Sequence, residues 1–366
     1  MTPRRFYLLS FLFACMALPL VSLSQKDIAR PVSQESTGES SQLFASEQIL
    51  SLKLSGNINA LFKDRSDNSS YHPLLLQYYM PDSTLVSLAI RAKTRGHFRK
   101  DKRNCKMPPI LLDFPKEAVT KNTLFDHQTK LKLVVPCQGD DYVIKEWLIY
   151  KLYNLISQNS FKARLALVEF DDSLNREKKE THYCFLLEDE KQMAKRNDCF
   201  VVKTKMLDMR NTKIVDFRKM AVFQYMIGNT DWGIPYLQNI VLITPDSLMA
   251  PIPVPYDFDH AGIVAASYAA PAPELQLPST RDRLYRGYCE KNIEDFKPTF
   301  QLFDSLKNEI YAVYTECPLL TGKYIKFATN YLDDFYKTIN SSRLAEFEFS
   351  KPCRTDVRVE IRGLKK

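Results

Sequence analysis

Residues 227–262 read IGNTDWGIPYLQNIVLITPDSLMAPIPVPYDFDHAG. Gly228-Asn229 is a helix stop signal, because glycine adopts the left-handed conformation that closes a last turn. Asp231 stands just beyond it. "NIVLI" and "PVPYDF" are short apolar runs around a Pro-Asp-Ser turn, the pattern of a β-hairpin. A hairpin brings the end of its second strand back to the start of its first. Asn239 and Asp257 are therefore expected side by side, with Asp231 hanging from the same end. A carboxylate after an apolar run such as Pro-Val-Pro-Tyr is costly unless paired or metal-bound. Asp259 is either a second ligand or a turn former, and His260 is expected to be structural.

Upstream, "SLAIRAKTRG", "MPPILLDFP" and "KLKLVVP" have the composition of strands. "DDYVIKEWLIYKLYNLISQNS" places Ile144, Leu148, Leu152 and Leu155 on one helical face, with Asp140 or Asp141 as its cap. "ARLALVEFDDS" and "THYCFLLEDE" form a second hairpin with a charged turn. Downstream, "DFRKMAVFQYMIGN" predicts an amphipathic helix. "PTFQLFDSLKNEIYAVYTEC" and "TGKYIKFATNYLDDFYKTINS" are helical too. The result is an α+β chain with a sheet-rich first half and a helical second half, which is how a two-lobed kinase is arranged.

The first 24 residues combine a basic start, an apolar stretch and small residues before Gln25, the pattern of a secretory signal peptide. Residues 25–47 are polar and Ser/Glu/Gln-rich, and a disordered linker is expected there. An N-lobe over 48–205, a C-lobe over 206–345 and a tail over 346–366 complete the expected organisation. No segment after the signal reaches the ~18 apolar residues of a membrane span. Export to the periplasm or the cell surface is expected, as a monomer. Seven cysteines follow the signal segment, and an oxidising compartment favours pairing them. Cys105–Cys137 is the first expected pair and Cys289–Cys317 the second. No Cys-x-x-Cys is present and histidine is scarce, so a structural zinc site is not expected.

The net charge is +8, and residues 91–106, RAKTRGHFRKDKRNCK, hold eight basic residues against one acidic. This is either a phosphate-binding patch or a solvated loop between strands. Aromatic residues are not interleaved as in single-strand binders, and no nucleic-acid partner is read from it. "RDRLYRGYC", residues 281–289, either closes over phosphate or packs as a surface loop.

The order Asp231, Asn239, hairpin, Asp257-Phe258-Asp259 suits phosphoryl transfer. That chemistry needs oxygen ligands for a metal and a separate carboxylate for the acceptor hydroxyl. "GNTDWG…QN…PVPYDFDHAG" resembles the atypical kinase segment of the CotH-type spore-coat kinases and, more distantly, of HipA-like kinases. "IRAKTRGHFRKDKRNCKMPPILLDF", "KLKLVV…KEWLIYKLYNLIS…ARLALVEFDD" and "YCFLLEDE" follow in the order of that family, over roughly residues 85–265. The resemblance implies a two-lobed atypical protein-kinase-like fold and ATP-dependent phosphorylation of a protein or envelope acceptor outside the cytoplasm. It implies Mg²⁺ and ATP as cofactors, Asp231 as catalytic residue, and Asn239, Asp257 and Asp259 at the metal. Lys106 or Lys132 would contact phosphate, paired with Glu146 or Glu188. The chain departs from the kinase pattern in two ways. No Gly-rich phosphate loop is present. Asn239 also follows Asp231 by eight residues, where kinases use a shorter spacing. A catalytically inactive relative that binds an envelope partner or polymer is the alternative function.

Overall fold

The computed structural model describes residues 42–353 apart from 118–122, 175, 177 and 291. The expected signal segment and residues 25–41 of the expected linker lie outside the described residues. Gln42–Phe44, at the end of that linker, form a 3-10 turn that buries Leu43.

Seven strands close a barrel: β1 (Leu50–Gly56), β2 (His72–Tyr79), β3 (Leu85–Thr94), β4 (Ile110–Asp113), β5 (Lys130–Val134), β6 (Ala163–Asp172) and β7 (Glu180–Leu187). The order around it is β1-β2-β3-β4-β5-β7-β6, and all neighbours are antiparallel except the closing pair β1 and β6. The sheet-rich lobe expected from the sequence takes the form of this closed barrel. Closure leaves no unpaired edge, and the parallel register Leu50↔Ala166 through Gly56↔Asp172 supplies it. Alternation sorts the walls. Ala166, Val168, Phe170, Cys184 and Leu186 fill the barrel, whereas Leu165, Phe185 and Leu187 face outward into a second core. The expected hairpin of β6 and β7 is present.

The second core belongs to the helices. α1 (Ile58–Lys63) sits at the barrel mouth, but α2 (Asp140–Ile156) packs outside, against β6 and β7. Its buried residues include Val143, Ile144, Trp147, Leu148 and Leu152, while Leu155 is 38% exposed and off the expected face. Gly139, not an aspartate, is the cap residue. Asp140 instead accepts the Tyr183 backbone N–H at 2.9 Å and faces His182 at 2.8 Å. α3 (Glu190–Arg196) and β8 (Phe200–Val202) lead to α4 (Ile214–Ile227). β8 pairs with β9 (Ile240–Thr244), which pairs with β10 (Ile252–Pro255). The helical core therefore begins at the barrel wall, where it takes in the outward side chains of β6 and β7.

α4 was expected to be amphipathic but is buried all round from Met220 onward, because the three-stranded sheet, α2 and the later helices surround it. It stops at Gly228, φ +68°, where a Cβ would meet the Tyr331 hydroxyl. The two long helical stretches become α5 (Lys297–Ser305), α6 (Lys307–Thr315) and α7 (Gly322–Ile339). α8 (Ser342–Phe349) continues the fold into the segment expected to be a tail, with Phe349 buried against Tyr225 and Tyr285. Cys105–Cys137 is bonded as expected. Cys289 pairs with Cys353 and not with Cys317, which is free, because the turn after α8 carries Cys353 back to it. Among the described residues no helix is long and apolar enough to cross a membrane.

Candidate functional site

The eight-residue spacing between Asp231 and Asn239 is absorbed by a side turn. Gly233 and Gln238 exchange both backbone hydrogen bonds, at 3.0 and 2.9 Å, and Leu237 N–H closes on the Ile234 carbonyl at 3.0 Å. The surplus residues thus bud outward, and Gln238 and Asn239 return to Asp231. Asn239 Nδ2 donates to the Asp231 carboxylate at 3.0 Å and to its backbone carbonyl at 2.7 Å. Gln238 Nε2 donates to the other carboxylate oxygen. Arg286 donates to the carbonyls of Thr230 and Trp232, at 2.6 and 2.5 Å, and so clamps the backbone on both sides of Asp231. The "RDRLYRGYC" segment is therefore a brace for this loop, and Arg283 likewise ties it to the end of α4 and to Tyr331.

The hairpin delivers Asp257 to the same end. Tyr256 N–H donates to the Asn239 carbonyl at 3.0 Å, and Asp257 N–H donates to the Tyr150 hydroxyl of α2 at 3.0 Å. Asp257 is left-handed at φ +63° and Asn239 at φ +52°, conformations that non-glycine residues hold only where surroundings impose them. Phe258 is fully buried between them and the core, 4.9 Å from the Tyr150 ring and 5.8 Å from Phe223. It stands between Asp257 and Asp259 in the chain and anchors both to the core.

These carboxylates meet a wall of cations from the barrel. Arg99 Nη1 lies 3.8 Å from Asp259 and 3.9 Å from Glu146 of α2, and its other Nη donates to the Val135 carbonyl. Arg95 and Lys132 act on Asp257, and Lys132 Nζ stands 4.5 Å over the Tyr256 ring. Burial pushes the Lys132 ammonium down to about 8, with Arg95 adding to it and Asp257 opposing. Burial, then the charge of Asp259, raises the Asp257 carboxyl. Burial, then Asp259 and Asp257, raises Glu146 well above the ordinary range. Asp231 is raised by burial too, with His260 pulling the other way and Asp257 and Asp259 reinforcing it. His260 is buried edge-on to the Phe98 ring, and its Nδ1 has no hydrogen-bond partner among the described residues.

Asp231, Asn239, Asp257, Asp259, Lys132 and Glu146 thus come together. Lys106 and Glu188 do not. Lys106 is exposed and pairs with Glu180 at 3.0 Å, because the strap carrying it follows the disulfide to the barrel mouth. Glu188 is spent on Arg196 at 2.9 Å and on the Lys162 N–H at 2.9 Å. Replacing it by glutamine is expected to cost about 1–3 kcal/mol in urea unfolding, by weakening a buried charged hydrogen bond, with no effect at the carboxylate cluster. Arg95 and Arg99 escaped sequence reasoning. Their signal was the basic run 91–106, which does not say which of eight cations turn inward.

The arginines bear on whether a nucleotide fits. Nε of Arg95 and Nε of Arg99 are buried without a hydrogen-bond partner among the described residues, and a phosphate oxygen is the acceptor such groups accommodate best. Among the described residues no three His, Cys, Asp or Glu side chains form a group that could hold a metal ion. Mg²⁺ needs fewer, because one or two carboxylates with phosphate and water complete its octahedron. A cavity of about 360 Å³ lies elsewhere, at the barrel mouth, and neither arginine nor the carboxylate cluster lines it.

No family model matches the chain, and no curated protein matches it. Among solved structures, the chain is similar to the proinflammatory kinase CtkA of Helicobacter pylori, over 71% of this chain and 95% of that one. The identity is 11% and the TM-score 0.39, and no residue role is taken from that likeness.

Proposed function

We propose that the chain is an exported kinase-like phosphotransferase that uses a Mg²⁺–nucleotide to phosphorylate a hydroxyl on a protein or envelope acceptor. The observation that carries the reading is the confrontation of Arg95, Arg99 and Lys132 with Asp257, at the hairpin end where Asn239 is bonded to Asp231. Mg²⁺–nucleotide, when bound, supplies the phosphoryl group and neutralises its charge. Arg95 and Lys132 would hold its phosphate oxygens. Asp257 and the side-chain carbonyl of Asn239 would hold the metal, since the amide nitrogen of Asn239 is already turned to Asp231. Asp259 and Glu146 serve as counter-charges that orient Arg99 and are not assigned to the metal. Asp231 would accept the proton of the acceptor hydroxyl, whose oxygen would take the phosphoryl group as the bond to the bridging oxygen breaks and the nucleoside diphosphate leaves. Export rests on the signal-like start and accords with two disulfides.

Binding that favours the folded state must raise the melting temperature. Millimolar Mg²⁺–ATP at ~100 times its dissociation constant is expected to stabilise the protein by about 2.7 kcal/mol. Asp257→Ala is expected to abolish that shift. A wild-type protein whose melting temperature ignores Mg²⁺–ATP overturns the ATP form of the proposal. The second reading is a non-catalytic relative that binds an envelope partner. It draws on the Asp231 carboxylate, both of whose oxygens are engaged by Gln238 and Asn239.

A further inference from the structure

The cavity at the barrel mouth has a built character of its own. Its floor is apolar, formed by Ile58, Phe62, Met107 and Phe170, with the two phenyl rings edge to face at 5.5 Å. Its wall is braced. Arg65 Nε donates to the Phe62 carbonyl at 2.9 Å, and its Nη atoms donate to the carbonyls of Lys100, Cys105 and Lys106. The Cys105–Cys137 disulfide fixes the same strap from the other side.

The charges at the rim do not cancel. Asp172 is buried and accepts the backbone N–H groups of Asn59 and Arg176, at 3.2 and 2.8 Å. Glu180 is divided between Lys106 and His182. Lys63, Lys102 and Lys178 also line the cavity and are exposed, and none of them makes an ion pair among the described residues. The rim therefore presents uncompensated positive charge above an apolar floor. A low-dielectric wall beneath such charge strengthens the attraction for an anion. A cavity of about 360 Å³ is the size of a small-molecule site.

We infer that this cavity is a binding site, separate from the carboxylate cluster, for a small amphiphilic anion. Its apolar body packs on Phe62, Met107 and Phe170, and its phosphate or carboxylate head meets Lys63 and Lys102. Each half alone is insufficient. Inorganic phosphate leaves the floor wet, and a neutral chain leaves the lysines unanswered.

Calorimetric titration of the full chain with octyl phosphate, octanoate, octanol and inorganic phosphate tests this. One saturable site is expected for octyl phosphate or octanoate, with octanol and inorganic phosphate at least about tenfold weaker, and the two anions together separate a phosphate head from a carboxylate head. Lys63→Gln with Lys102→Gln is expected to weaken the anion about tenfold, as two partly screened ion pairs would. Lys191→Gln with Lys323→Gln removes the same charge from exposed positions elsewhere and is expected to change nothing. The Mg²⁺–ATP shift is expected to survive both pairs. Equal binding of octanol, equal weakening by the distant pair, or no saturable binding of either anion overturns the inference.

Discussion

Asp231→Asn is expected to slow phosphoryl transfer about 10²–10⁴-fold, the range for loss of a positioned base, while Mg²⁺–nucleotide binding persists. The substitution keeps shape and removes only the ability to accept a proton. The loop is held by contacts that do not need the carboxylate. Asn239 Nδ2 reaches the Asp231 backbone carbonyl at 2.7 Å, and Arg286 grips the carbonyls of Thr230 and Trp232. One of the two side-chain hydrogen bonds, from Gln238 or Asn239, is lost to the new amide. Burial already disfavours the ionised carboxyl, so a neutral side chain offsets part of that loss, and folding stability is expected to change by less than about 1 kcal/mol. The measurement is transfer of labelled phosphate alongside nucleotide-dependent melting. An Asn variant as active as wild type removes Asp231 from the chemistry. A wild-type protein that binds Mg²⁺–ATP and transfers nothing to any hydroxyl acceptor, itself included, moves the reading to the non-catalytic relative.

The hairpin and its charged end were legible because local rules determine them. Gly228, with no Cβ, takes φ +68° without steric cost, and the places of Asn239 and Asp257 follow from how any hairpin closes. Lys132 was legible as a cation on a strand whose neighbours, Leu131 and Leu133, point into the barrel. Lys106 failed the same inference because its position lies beyond the strands, in a strap whose path depends on a disulfide. Arg95 and Arg99 were hidden for a related reason. Arg95 directly follows β3 and Arg99 sits in the 3-10 turn Phe98–Lys100, which no periodicity marks. Barrel closure was equally out of reach, since the β1–β6 register joins residues more than a hundred positions apart and depends on sheet curvature. Cys353 was passed over because spacing does not select among seven cysteines. The partner is chosen by α8, whose Phe349 docks on an aromatic cluster formed only in the folded chain.

Phe258→Ala should be among the costliest single truncations near the site, about 3–5 kcal/mol in urea unfolding, since it empties a fully buried aromatic position. Its effect does not stop at the core. Phe258 separates Asp257 from Asp259, and its ring is seated 4.9 Å from that of Tyr150, whose hydroxyl accepts the Asp257 N–H. The left-handed backbone at Asp257 persists only because hairpin, α2 and this ring over-determine it. Emptying the position releases one of those three constraints, so the Mg²⁺–ATP melting shift is expected to shrink although every proposed ligand remains in the sequence. Phe258→Leu fills most of the volume and is expected to cost about 1–2 kcal/mol with the shift largely kept. If Phe258→Ala folds, loses the stability and still shows the full nucleotide shift, then the hairpin end is not the scaffold of the nucleotide site. If Phe258→Leu abolishes the shift without unfolding the protein, the aromatic ring itself has a role at the site that packing does not explain.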